Sequence, residues 1–415
     1  MNLMAEWQHP TTSEINQRKD KLVNLMLENA VDAIVIADPH NIYWLTHFAN
    51  YVHERPFILI MDTKGALTFV VPYLEVAHVE RRKVGELKIV TYEEFPCPEK
   101  TSWKAVFEEH TKQYSKIALE GSCPLYISNF LKEKGDLIDL VEEARYEKSE
   151  YEINRIVYSS KIATRAMEKL LTIAKPGMSA ISSHKKIVEL IQLQLFSDNP
   201  EVNALATDIG VIVQPPSVSD DPHNFTNLLD MDMTEGGPHV SIINGVFNGY
   251  GTEVERTFFL GSVPKKALRP FMVMMEAREL CFELLKPGIT MHEVDSRIKE
   301  HLKMRGYGDN LLHRTGHSIG VTGHEGPFLA TNFHKEIKPN MLFTVEPGIY
   351  IPGLGGFRHS DTVLVTETQN INLTPVKDSL EDMTLPIKRL NFSLSPKNKQ
   401  KLLNKYNHYF GLGSQ

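Results

Sequence analysis

An α+β chain is predicted, with an N-terminal α/β domain over residues 1–142 and a larger second domain over 143–390. Three observations predict it. At 415 residues the chain exceeds one ordinary domain. Its first third alternates short apolar runs with helical stretches, the pattern of a sheet covered by helices. Its later part uses one helix break twice: Lys175-Pro176-Gly177-Met178-Ser179 returns as Lys286-Pro287-Gly288-Ile289-Thr290. Residues 391–415, polar with scattered Leu and Tyr, are read as a peripheral tail.

Residues 1–12 form a loose arm. Ser13 to Asn29 is predicted helical, with Ile15, Leu22, Leu25 and Met26 on one face. Val31 to Ala37 reads as an apolar strand ended by Asp38-Pro39. Phe57 to Met61 is a second buried strand, turned by Asp62-Thr63-Lys64-Gly65 into Leu67 to Val71. Lys116 to Glu120 is a further strand before Gly121, and the first domain closes near Asp139. Glu142 to Ala174 contains no Gly or Pro and reads as helix-forming. At each Lys-Pro-Gly break, Pro-Gly stops one helix and Ser179 or Thr290 can cap the next by accepting backbone N–H groups. Thr290-Met291-His292-Glu293 has the form of a capping box. Ser241 to Val246 and Tyr250 to Leu260 are predicted strands joined at Asn248-Gly249, and Met341 to Val345 and Thr362 to Val365 are two more.

Lys and Arg total 45 against 52 Asp and Glu, a formal charge of -7. That balance argues against a general nucleic-acid surface, which needs clustered positive charge. Cys97, Cys123 and Cys281 are odd in number and scattered, so free thiols in a reducing compartment are expected. The opening MNLMAEWQHPTTSE has no signal-peptide pattern, and no apolar run approaches the roughly 18 residues of a membrane span. A cytoplasmic protein with no nucleic-acid or membrane partner is the expectation.

Strand alternation puts Glu253 and Glu255 on one face of an apolar strand. Burying two carboxylates together is costly unless a cation joins them: an Arg, a metal or a cationic ligand. Glu346 ends the apolar run Leu342 to Val345 before Pro347-Gly348, so it is expected to be paired or functional. His317 and His324, flanked by Gly316 and Gly320, are placed on a strand and the loop after it.

Four segments carry a resemblance: Asn248 to Phe259 (NGYGTEVERTFF), Gly316 to Gly320 with His324, Thr344 to Tyr350, and Gly355 to Asp361. In order and spacing they resemble the pita-bread family of aminopeptidase P, prolidase, methionine aminopeptidase and creatinase. The resemblance implies a creatinase-like N-terminal domain and a pita-bread domain with a pseudo-two-fold repeat. Metallopeptidases of that family hold two metal ions with two Asp, one His and two Glu. Here the first Asp position falls on Ile242 and the last Glu position on Ser360, while Glu253, His317 and Glu346 stand at the other three. Two carboxylates bring a charge of -2 against +4 for two divalent ions.

The likeness to creatinase implies further roles. His223 falls at its proton-transfer position, Glu255 and Glu346 at its guanidinium-binding positions. Arg55 falls where an Arg grips a carboxylate in the partner subunit's pocket, and Phe328 where a second such Arg would stand. His359, before Ser360, faces the pocket or the solvent. The expected function is therefore a metal-independent hydrolase of a C–N bond in a small carboxylated molecule, acting as a homodimer without a cofactor. His223, Glu255 and Glu346 would be catalytic; Arg55, Glu253, His317, His324, Phe328 and His359 would bind substrate. One alternative is an Xaa-Pro-type peptidase with one Mn, Zn or Fe ion on Glu253, His317 and Glu346. The other is a non-catalytic pita-bread binding protein.

Overall fold

The computed structural model describes residues 7–52, 54–199, 201–224 and 231–387. Thr11 caps the first helix, α1 (Thr12–Glu28), by accepting the Glu14 N–H, and Ile15, Leu22 and Met26 are buried beneath it. There follow β1 (Ala33–Ile36), α2 (Pro39–Thr46), β2 (Ile58–Asp62), β3 (Leu67–Pro72), α3 (Val76–Arg82), β4 (Lys88–Tyr92), α4 (Trp103–Thr111), β5 (Ile117–Leu119), α5 (Leu125–Leu131), β6 (Gly135–Leu137) and α6 (Leu140–Ala144). The strands make one mixed sheet in the order β4-β3-β2-β1-β5-β6. Strand β1 is apolar at every position because both its faces are covered. Ile34 and Ile36 pack in one core cluster, Ala33 and Val35 in another.

The segment from Glu142 to Ala174 is not one helix. It breaks between α6 and α7 (Glu150–Ile173). Ser149 caps α7 in a reciprocal capping box with Glu152. Arg145 and Lys148, in the break, turn inward to a buried carboxylate, Glu325.

The second region continues with α8 (Ala180–Asp198), β7 (Asp208–Gln214), β8 (Gly236–Phe247), β9 (Tyr250–Leu260), α9 (Lys265–Leu284), α10 (Met291–Met304), β10 (Gly316–Ser318), β11 (Glu325–Leu329), β12 (Leu342–Val345), β13 (Gly348–Ile351), β14 (Gly355–Arg358), β15 (Ser360–Val365), β16 (Asn370–Asn372) and β17 (Thr384–Leu385). Its main sheet runs β12-β15-β9-β8-β7, with β16 on β15 and β17 on β9. Every residue of β9 is buried.

The two Lys-Pro-Gly breaks are built alike. Gly177 and Gly288 take φ of +75° and +89°, open to glycine at little cost. Ser179 caps α8 and Thr290 caps α10. Each cap residue also forms an antiparallel bridge, to Asp232 and Glu336 respectively. This is the helix–turn–helix repeat expected of a duplicated half.

The described residues up to Leu385 form one compact unit. The expected tail, 391–415, lies outside the described residues. Among the described residues, no helix is long and apolar enough to cross a membrane.

Candidate active site and metal centre

The site is built on β9, between β8 and β15. Antiparallel pairing places Ile242 of β8 and Ser360 of β15 on either side of Glu255, and Asn244 opposite Glu253. Both positions that depart from the resemblance thus flank one carboxylate. Glu253, Glu255 and Glu346 are all buried. Ser360 Oγ donates to Glu253 Oε1 at 2.7 Å.

Glu255 has a partner inside the chain. Arg358, at the end of β14, donates from Nη2 to Oε1 at 2.8 Å and from Nε to Oε2. Such a two-pronged pair suits a guanidinium and a carboxylate. Arg358 Nη1 also donates to Tyr350 Oη at 2.7 Å, and that oxygen meets His313 Nε2 at 2.7 Å. Glu255, expected to hold a cationic group of a substrate, is saturated by this internal arginine instead.

His317 Nδ1 lies 2.9 Å from the Ser318 carbonyl oxygen, so Nδ1 carries the proton and Nε2 is bare. Nε2 is 3.4 Å from Glu346 Oε1 and 3.9 Å from Glu253 Oε2. Among the described residues it is buried and has no hydrogen-bond partner. The His324 ring stacks on His317, with centroids 3.6 Å apart.

The electrostatics follow from burial. Desolvation raises Glu253, raises Glu255 to about 7, and raises Glu346 well above the ordinary carboxylate range, with the Glu253 and Glu255 charges adding to the last. Desolvation lowers His317 to about 4 and His324 to about 3, so both imidazoles are neutral near pH 7. Three crowded acids and a neutral imidazole are a strained set that a cation among them relieves.

The donors fit one metal ion. Glu253, His317 and His324 offer ligand atoms within 4.8 Å of one another, and so do Glu253, Glu255 and Glu346. Glu255 is committed to Arg358, which leaves Glu253, His317 and Glu346 around the orphaned Nε2. Carboxylate and imidazole donors suit Zn, Mn or Fe, and three protein ligands suffice for a catalytic ion. They do not fit two ions, because Ile242 and Ser360 supply no carboxylate and Glu255, which lies between them in the sheet, is held by Arg358. The expectation of no cofactor is corrected here.

The other expected residues are spread out. His223 is exposed on the loop after β7, within electrostatic reach of Glu255, His313 and His324 at the rim of the site. Asp221 accepts the His223 backbone N–H at 3.2 Å, and Asp220 accepts that of Gly353 at 3.1 Å. Arg55 pairs with Glu54 at 3.0 Å and with Glu94 on its own domain. His359, expected to face pocket or solvent, faces neither. It is wholly buried, edge-on to Phe271 of α9 at 5.5 Å. Alternation explains this, since Arg358 and Ser360 take the site face and His359 the opposite one. Phe328 is half-buried under Arg314, whose Cζ lies 4.4 Å from the ring centroid. The sequence reading missed Arg358 and Arg314 as site residues. The same alternation that pairs Glu253 with Glu255 would have put Arg358 beside Ser360.

Residues 154–367 match the metallopeptidase family M24, and residues 18–146 the creatinase/prolidase N-terminal domain. An Xaa-Pro dipeptidase of Pyrococcus furiosus is 28% identical over 372 residues, covering 88% of this chain and 100% of the relative. The uncharacterized peptidase YqhT of Bacillus subtilis is 29% identical over 365 residues, covering 86% and 97%. Among solved structures, the prolidase from Pyrococcus furiosus matches with a TM-score of 0.71 at 28% identity, over 86% of this chain and 99% of that one. The prolidase of Pyrococcus horikoshii OT3 gives 0.74 at 24% identity over 88% and 100%, a likeness of fold. These findings overturn the expectation of a metal-independent hydrolase, because the matching family is one of metallopeptidases and the relatives include an Xaa-Pro dipeptidase. With more than half its length in that match, the chain belongs to metallopeptidase family M24, hydrolases of C–N bonds, and carries a creatinase/prolidase N-terminal domain ahead of the catalytic region.

Proposed function

We propose that this protein is an Xaa-Pro-type peptidase of small substrates that works with one divalent metal ion. The observation that carries the reading is the bare Nε2 of His317, buried without a partner and aimed between Glu346 and Glu253. Glu253, His317 and Glu346 would hold the ion. When bound, it supplies Lewis-acid polarisation of the scissile carbonyl and a more acidic water.

The chain's own groups prepare that chemistry. The Ser318 carbonyl fixes the His317 tautomer, and the Ser360 hydroxyl orients Glu253. The Arg358–Glu255 pair is electrically neutral, so Glu253 and Glu346 leave the cavity with the charge to balance one divalent ion. His324 presents the outer face of its stack to an incoming substrate. His223, on the rim loop, can carry a proton to or from the leaving amine. Residues 1–142 and 143–390 serve as N-terminal and catalytic domains in this reading. The scattered free cysteines support a reducing, cytoplasmic setting, and the likeness to creatinase supports a homodimer.

Protein purified without chelators should contain about one metal ion per chain by elemental analysis, the number three ligands can hold. It should cleave an Xaa-Pro dipeptide, stop with EDTA, and recover with Mn, Zn or Fe. Dipeptide turnover untouched by chelation, or none with any of these metals, would defeat the reading.

A further inference from the structure

Arginines near the site are, with one exception, matched by carboxylates. Arg358 is held by Glu255, Arg256 and Arg278 by Asp361, and Arg145 by Glu325. The exception is Arg314. Among the described residues its side chain forms no ion pair, and its Nε is buried without a hydrogen-bond partner.

Its surroundings hold it in place without neutralising it. The guanidinium lies over the Phe328 ring, 4.4 Å from Cζ to centroid. The backbone on both sides is pinned: His313 Nδ1 donates to the Arg314 carbonyl oxygen at 2.7 Å, and Asp295 Oδ1 accepts from Thr315 N and Oγ1 at 2.9 and 2.8 Å. Phe328 is the cross-strand partner of His317, and His317 stacks on His324. The charge of Arg314 therefore stands beside the metal-binding imidazoles and is felt at both.

A half-buried guanidinium with an unmet N–H is costly to keep unless a ligand completes it. Stacking on an aromatic face leaves its N–H edge open, and that edge matches a planar carboxylate. A dipeptide brings one carboxylate near its scissile bond, the free α-carboxylate of its second residue.

We propose that Arg314, seated on Phe328, is a specificity-determining residue that receives the free α-carboxylate of a dipeptide. The enzyme then favours free dipeptide acids over their amides. This rests on the peptidase reading for its substrate, but its test does not rest on turnover.

Two measurements on the metal-loaded protein test it. In kinetics, Arg314→Gln should raise KM for a free Xaa-Pro dipeptide on the order of 10- to 100-fold, the effect of losing a charged hydrogen bond. It should leave kcat within about 2-fold, as loss of uniform binding does. The dipeptide amide should be almost unaffected, and Arg314→Lys should restore part of the loss. In calorimetry, wild type should bind proline more tightly than prolinamide, and Arg314→Gln should erase the difference. A wild type that does not distinguish proline from prolinamide, or an Arg314→Gln protein that still does, overturns the assignment. Failure of the wild type to cleave any dipeptide refutes the peptidase reading instead, and the calorimetry still decides Arg314.

Discussion

Arg358 takes up the charge of Glu255 in a cavity where the family resemblance implies more acid and a second metal ion. With Glu255 neutralised, Glu253 and Glu346 remain to balance a single divalent ion. Ile242 and Ser360, on either side of Glu255 in the sheet, are where the missing acids would stand. Restoring both with Ile242→Asp and Ser360→Glu in one protein should raise bound metal from about one toward two ions per chain, because carboxylate charge limits the site. Elemental analysis checks this, and a double variant still holding one ion would sink the charge argument. The substitutions at 242 and 360 were readable in the chain itself. The arginine that makes them tolerable was not, because its partner lies 103 residues away.

At the scale of elements, the loop carrying His324 is tied to the N-terminal region by a buried clasp. Glu325 opens β11 and pairs with Arg145 and, at 3.0 Å, with Lys148. Lys148 Nζ also donates to Ser318 Oγ at 2.8 Å, next to the carbonyl that fixes His317. Arg145 reaches on to Asn41 of α2, whose Nδ2 donates to Glu120 at 2.8 Å. Glu325→Gln removes the charge that compensates two buried cations, and should destabilise the fold by about 3–5 kcal/mol. Urea denaturation followed by circular dichroism measures it, and a loss below about 1 kcal/mol, the range of an exposed pair, would mean that the clasp is not held by charge. The clasp sits at the break in the helix. Nothing in Glu142 to Ala174 forbids a continuous helix, yet Arg145 and Lys148, both paired with Glu325, lie between α6 and α7. The Ser149 and Glu152 spacing of a capping box was the local sign of the new start.

For the whole molecule, buried neutral imidazoles set the response to acid. Desolvation lowers His239 to about 4 and His47 to about 3, and holds His359 well below the ordinary imidazole range. His239 is stacked on Phe258 and accepts the Thr234 N–H at 3.1 Å, a role open only to the neutral ring. Their folded values lie below the unfolded value of about 6.5, so on acidification the unfolded chain binds protons first. Stability should therefore be full above about pH 6.5 and fall as pH drops toward about 4. His239→Phe should make that decline shallower in urea titrations across this range. An unchanged slope would show that this imidazole is not part of the acid response.

Periodicity and turn chemistry in the chain alone determined the helices, the buried strands, the repeated Lys-Pro-Gly break and the presence of Glu253, Glu255, His317 and Glu346, because these are short-range properties of neighbouring residues. Tertiary structure decided what each carboxylate touches. Glu255 was open to an arginine, a metal or a ligand until the β9–β15 register brought Arg358 onto it. His359 was open to pocket or solvent until α9 covered it. The orphaned nitrogen of His317 and the unmatched charge of Arg314 exist only once strands distant in sequence are packed, since an unmet polar group is defined by everything around it.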